Sequence, residues 1–246
     1  VLFEFAPFES AFTGGVFVAA GDLTGDGVPD VVVTPDEGGG PRVLVFDGVT
    51  GAIAADFFGI DDPSFRGGAR AAIGDVNGDG IPDLLVAAGF GGGPRLAGFD
   101  GRSLTGERSK LFADLYVFEQ SLRNGVYVAA ADLDGDGRAD LVAGGGPGGG
   151  PRIFALSGAD LVAGLGSGSR VMANFFGGDP NGRGGARIAA ANLDGDDSMD
   201  LVVGAGKNSG SRVTGYLTQG KTWEVPPSET FAIDTFESFA GGVYVG

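Results

Sequence analysis

The chain has no cysteine, no histidine, one tryptophan and two methionines in 246 residues. Without cysteine no disulfide staples the fold and no thiolate is available as nucleophile or metal ligand. Without histidine the Ser-His-Asp and Cys-His mechanisms and every His-ligated metal centre are excluded. No apolar run approaches the roughly 18 residues of a membrane-spanning helix, so no membrane insertion is expected. No signal peptide is visible, but the chain opens on VLFEF, without Met and inside a repeat, which points to a mature fragment or an excised piece of a longer chain. Basic residues are few, 16 Lys and Arg against 32 Asp and Glu, a formal net charge of −16. With no basic stripe to offset it, that charge argues against nucleic acid as a partner.

What the chain has in excess is glycine, 50 residues, alongside 43% hydrophobic residues. That combination excludes disorder and suits an all-β chain of many short strands joined by tight turns. At this length it is read as a single domain, residues 1–246, large enough to bury a core.

Four acidic nonapeptides dominate the pattern: Asp22–Asp30 (DLTGDGVPD), Asp75–Asp83 (DVNGDGIPD), Asp132–Asp140 (DLDGDGRAD) and Asn192–Asp200 (NLDGDDSMD). Oxygen ligands at positions 1, 3, 5 and 9 with a glycine at 6 are what a hard cation such as Ca²⁺ requires. Those positions are Asp22, Thr24, Asp26 and Asp30; Asp75, Asn77, Asp79 and Asp83; Asp132, Asp134, Asp136 and Asp140; Asn192, Asp194, Asp196 and Asp200. Carboxylates so clustered would repel one another without a cation. Up to four Ca²⁺ are therefore expected, and they would bring the net charge to about −8. The loops are not EF-hands, whose closing Glu stands at position 12; here position 12 is Val33, Val86, Ala143 or Val203. A short apolar run precedes each loop and another succeeds it, so each is a calcium-binding hairpin.

The loops mark a fourfold repeat with offsets of 53, 57 and 60 residues. Gly15, Gly68, Gly125 and Gly185 stand seven residues before each loop, and Arg42, Arg95, Arg152 and Arg212 twenty after its start. Repeats of about 1–55, 56–110, 111–171 and 172–229 and a partial repeat 230–246 result. Each holds four candidate strands: an aromatic one, one entering the loop, one leaving it and one after the arginine. Four antiparallel strands at this period predict a β-propeller of four blades. The aromatic residues are expected in the core between blades. The arginines suit planar anions, but pairing with an acid of the same or the adjacent blade is the simpler reading. Trp223, in the irregular 217–229 stretch, is expected to pack under that loop.

The nonapeptides, the Phe58-Gly59 and Phe176-Gly177 pairs and the GGGP segment at 144–147 together resemble FG-GAP/VCBS repeats, found in integrin α-subunit propellers and many bacterial surface proteins. The resemblance implies one Ca²⁺ loop between the two inner strands of each blade. It also implies a fifth ligand, the carbonyl at position 7: Val28, Ile81, Arg138 and Ser198. Thr24 in the first loop, and Asn192 and Asp197 in the fourth, depart from the pattern, so those loops are expected to bind most weakly and the third most tightly.

Residues 1–20 align with 230–246, giving eighteen candidate strands, so either one end is displaced as an exposed edge or the overhangs pair with another chain or with missing repeats. No enzyme is expected. The chain reads as an extracellular or cell-surface, calcium-stabilised scaffold for adhesion or protein interaction, with a protein or glycan ligand. The alternative is a carbohydrate-binding, lectin-like module or the propeller of a polysaccharide lyase.

Overall fold

Short β-branched and aromatic runs punctuated by glycine form sixteen strands in the computed structural model, which describes residues 4–218 and 229–246. They make four antiparallel sheets, each of four strands in chain order. The first joins β1 (Val16–Gly21), β2 (Asp30–Pro35), β3 (Arg42–Phe46) and β4 (Ile53–Phe58). The second joins β5 (Ala69–Gly74), β6 (Asp83–Ala88), β7 (Arg95–Phe99) and β8 (Lys110–Tyr116). The third holds β9 (Val126–Ala131), β10 (Asp140–Gly145), β11 (Arg152–Leu156) and β12 (Val171–Phe176). The fourth holds β13 (Ala186–Ala191), β14 (Asp200–Ala205), β15 (Arg212–Tyr216) and β16 (Glu229–Asp234). Helix is confined, among the described residues, to α1 (Gly158–Val162) and two single turns.

The aromatic segment expected at the head of each repeat instead closes the preceding sheet, as β4, β8, β12 and β16. In place of the eighteen strands expected, sixteen form among the described residues, because neither residues 4–8 nor 243–246 pair in a sheet. The pairing of third with fourth strand slips in every sheet, at Val45/Phe46, Leu96/Gly98/Phe99, Ala155/Leu156 and Gly215/Tyr216, a bulge that increases local twist.

The sheets pack face to face in chain order, β1 on β5, β5 on β9 and β9 on β13, and among the described residues no comparable packing joins the fourth sheet to the first. Three apolar clusters fill the gaps, with Leu84, Val86 and Phe99 in the first, Leu85, Leu96 and Leu141 in the second, and Ile153, Leu201 and Val203 in the third. Strands β6 and β10 are buried at all six positions, since each has a strand on either side and a sheet over either face. The glycine before the first strand of the second, third and fourth sheets (Gly68, Gly125, Gly185) serves this packing. Gly68 has φ +71°, and a Cβ there would lie 2.2 Å from the Pro35 carbonyl oxygen.

The aromatic residues are not all core. Phe57 and Phe175 pack inward, whereas Phe58 and Phe176, one residue on and so on the opposite face of the strand, are half exposed. The chain ends are also treated differently. Phe5 stacks on Phe46 at 4.1 Å, and Phe8 packs on Val33 and Leu44, covering the outer face of the first sheet. The C-terminal segment docks on the fourth sheet as each later repeat docks on its predecessor. Asn208 N–H bonds Ala240 O at 2.7 Å, matching Gly38 to Arg66, Gly91 to Arg123 and Gly148 to Arg183.

Candidate metal centre

All four acidic loops connect the first strand of a sheet to its second, at one end of the stack. The carboxylate at position 1 organises its own loop. Asp22 Oδ1 accepts from the N–H groups of Gly25 and Asp26 and Oδ2 from Gly27, and Asp75 and Asp132 repeat the pattern. These tight turns need left-handed residues: Gly27, Gly80 and Gly137, at position 6, have φ of +85°, +86° and +83°. In the fourth loop Asp197 replaces that glycine and is not among the residues with positive φ, so the turn differs. Asn192 there accepts from Gly195 N–H but also donates through Nδ2 to the Asp196 carbonyl, a bond a carboxylate cannot make.

Position 9 does more than the sequence indicated. Asp30, Asp83, Asp140 and Asp200 are at most 1% exposed. One oxygen of each accepts from the N–H at loop position 2 (Leu23, Val76, Leu133, Leu193). The other accepts from the N–H eighteen residues on, at Gly48, Gly101, Gly158 and Thr218. Position 9 thus clamps the loop to the turn after the third strand. In the first three loops the far side of the clamp requires glycine, since a Cβ at Gly48, Gly101 or Gly158 would meet the carbonyl of Pro29, Pro82 or Ala139 at 2.0–2.1 Å; the fourth loop uses Thr218 instead. At two of these acids burial is the dominant electrostatic influence. It raises the pKa of Asp83 and pushes Asp140 up to about 7, against the bonds from Gly158 and Leu133, with the charges of Asp134 and Asp136 adding to the rise.

The third loop brings Asp132, Asp134 and Asp136 together, with one oxygen from each within 4.8 Å of the others, and it is the one such carboxylate trio among the described residues. Thr24, Asn77 and Asn192 explain why the other loops fall short of three carboxylates at these positions. Two buried oxygens at position 3, Asp134 Oδ1 and Thr24 Oγ1, have no hydrogen-bond partner among the described residues. Hard oxygen donors converging with unsatisfied lone pairs fit Ca²⁺, and the orphaned position-3 oxygens are where a ligand is due.

Cationic side chains outside the repeat spacing also reach these loops. Arg102 Nε lies 2.6 Å from Asp79 Oδ2 and Arg170 pairs with Asp134. Both come from the variable stretches between repeats, where their charge is the only sequence signal. The loops are also tied to each other, Ala139 N–H to Asp75 O and Met199 N–H to Asp132 O. Pro82 occupies the matching position of the second loop and has no N–H to donate.

At the other end of the stack, the four arginines after the glycine-rich turns are paired with acids, as the simpler reading expected. Arg42 contacts Asp56 at 2.7 Å and Glu9 at 3.5 Å, Arg95 contacts Asp114 at 2.6 Å, and Arg152 contacts Glu119 at 3.1 Å. Arg212 lies 3.8 Å from Asp234 and 4.0 Å from Glu229. Trp223 lies outside the described residues.

Residues 22–86 and 75–143 match the model of the FG-GAP-like repeat. These spans hold the first three loops, and over them the chain belongs to the FG-GAP-like repeat family. No curated protein matches the chain. Among solved structures it is similar to rhamnogalacturonan lyase YesW, at 16% identity over 87% of this chain and 44% of that one, with a TM-score of 0.46. The rhamnogalacturonan lyase PL11 of Bacillus licheniformis is 12% identical over 85% and 43%, with a TM-score of 0.47. The exotype rhamnogalacturonan lyase YesX is 13% identical over 85% and 42%, also at 0.47. The chain spans less than half the length of each of these proteins.

Proposed function

We propose that the four sheets are blades of a calcium-binding β-propeller, and that the protein acts as an extracellular or cell-surface scaffold for adhesion or protein interaction, not as an enzyme. The observation that carries this reading is the third loop, where three carboxylates converge and Asp134 Oδ1 is buried with no partner among the described residues. Residues at positions 1, 3, 5 and 9 of each loop, with the carbonyl at 7, would hold the ion. When bound, Ca²⁺ supplies positive charge that offsets carboxylate repulsion and the burial of the position-9 acid. The third loop is the tightest site on this reading, the second comes next, and the first and fourth are weakest.

Extracellular modules of this kind hold calcium with a Kd on the order of 10⁻⁴ to 10⁻³ M, which only extracellular calcium fills. The ligand is a protein or a glycan met by the loops. A panel of surface proteins and glycans, screened with calcium and with chelator, tests the scaffold role, and calcium-dependent capture is the expected result. Cleavage of any acidic polysaccharide by the purified protein would overturn the non-enzymatic reading.

A further inference from the structure

The second residue of each first strand carries a pattern that the calcium loops do not use. It is Phe17 in β1, Arg70 in β5, Tyr127 in β9 and Arg187 in β13. Tyr244 continues the alternation, two residues after Gly242 as the others are after Gly15, Gly68, Gly125 and Gly185. These five side chains meet. The three rings form a near-equilateral triangle, with centroids 6.5 Å apart for Phe17 and Tyr127, 6.2 Å for Phe17 and Tyr244, and 6.3 Å for Tyr127 and Tyr244. The Arg70 guanidinium lies 4.3 Å from the Tyr127 ring and 5.1 Å from Phe17; that of Arg187 lies 4.1 Å from Tyr244 and 5.8 Å from Tyr127.

Arg70 is 4% exposed and Arg187 6%. Neither has an ion-pair partner among the described residues, although Arg102 and Arg170 near the loops do. Each gives one bond to a backbone carbonyl, Arg70 to Val126 at 3.5 Å and Arg187 to Ala205 at 3.0 Å, and the Nε of each is buried with no acceptor among the described residues. A guanidinium keeps its charge in any protein and has five donors to satisfy. Removing it from water is costly, and a ring face returns only a fraction of that cost. Two such charges also share the Tyr127 ring. The Tyr127 hydroxyl does not answer them: burial raises its pKa, so it is neutral at pH 7. The chemistry of the cluster calls for an anion.

We propose that the meeting point of Phe17, Arg70, Tyr127, Arg187 and Tyr244 binds an organic carboxylate, its oxygens on the guanidinium donors and its carbon body against the rings. A guanidinium fork matches the planar carboxylate. The rings give a carbon skeleton apolar contact that inorganic phosphate could not use. A single negative charge also suffers less repulsion from a chain of net −16 than a double one. Tyr244, 60% exposed over the face of Arg187, is the side chain at the mouth of the site. The proposal is independent of calcium binding.

The protein, in calcium-containing buffer, is titrated calorimetrically with D-glucuronate, with N-acetyl-L-alanine and with inorganic phosphate. Saturable binding of at least one organic acid is expected, weakened tenfold or more by Arg70→Gln and by Arg187→Gln and kept by Arg42→Gln. Melting temperatures of the first two variants should not fall, because each removes a buried charge that has no acidic partner. Arg187→Lys, which keeps the charge but not the fork, should also weaken binding and covers the case in which a glutamine variant fails to fold. The two acids separate a sugar acid from a peptide-like one, and binding of either supports the site. No binding of either acid at millimolar concentration would overturn the proposal. So would affinity unchanged in the Arg70 and Arg187 variants, or phosphate bound through the same arginines as tightly as the organic acids.

Discussion

Truncating the same loop position in two repeats should give very different losses of stability. Position 2 is Leu23, Val76, Leu133 and Leu193, and the first three are 2%, 0% and 0% exposed while Leu193 is 38% exposed. The cause is the presence or absence of a next sheet in the stack. Leu133 enters the apolar cluster between the third and fourth sheets, whereas no fifth sheet stands over Leu193 among the described residues. Leu133→Ala therefore removes a wholly buried side chain and leaves a cavity among Val142, Leu201 and Ile188, costing ~3–4 kcal/mol. Against a typical total of ~5–15 kcal/mol that is a large fraction, and it should lower Tm by roughly 10 °C in a chain of this size. Leu193→Ala should cost about 1 kcal/mol or less. Urea unfolding of both variants in saturating calcium measures the difference directly, as midpoints separated by about 1 M or more at an m-value near 2 kcal/mol/M. Equal midpoints for the two variants would refute the placement of the loops against the neighbouring sheets.

Three further outcomes are expected. In the metal-free protein, stability should fall as pH rises from about 4 through 7, because Asp140 titrates near 7 in the fold against 3.8 normally and holds its proton more tightly when folded. Full ionisation costs on the order of 4 kcal/mol, and acids held low by bonding, such as Asp56 beside Arg42, act only below about pH 5. Denaturant midpoints in chelator that stay flat between pH 5 and 8, or that slope equally in Asp140→Asn, would contradict this. Gly59→Ala should destabilise by ~1–3 kcal/mol, since its Cβ would lie 2.6 Å from Val86 Cγ1 and 2.9 Å from Val43 Cγ2; a thermal melt equal to wild type would show that the sheets give way there. Magnesium should replace calcium poorly in restoring Tm after chelation, because it demands octahedral geometry, and full rescue by magnesium would count against calcium-shaped loops.

The strands that flank the loops were legible because VFVAAG, ARAAIG, VYVAAA and ARIAAA alternate or run apolar between glycines, and all four form. Sheet membership was not. A repeat has no intrinsic starting point, and DFF or NFF reads equally as the head of one unit or the end of another until β3 is seen to bond β4. The loop carboxylates were visible from spacing, yet the second task of position 9 was not, because its partners, Gly48, Gly101, Gly158 and Thr218, are ordinary turn residues. The arginine-aromatic cluster does leave a mark in the sequence: the alternation Phe17, Arg70, Tyr127, Arg187 and Tyr244 stands at one fixed offset from glycine. Its residue type changes from repeat to repeat, so it stands out less than the invariant arginines that pair with acids at the other end of the sheets.

Calcium removal is the measurement that bears most directly on the account. With Kd on the order of 10⁻⁴ to 10⁻³ M and calcium tenfold higher, each site adds ~1.4 kcal/mol, and four sites ~5–6 kcal/mol. Isothermal titration of the demetallated protein with calcium, paired with melting curves, should show at least two ions bound per chain and a Tm more than ten degrees higher when they are present. No bound calcium by elemental analysis, together with one melting curve unchanged by chelator, would make the four loops plain turns and contradict the account.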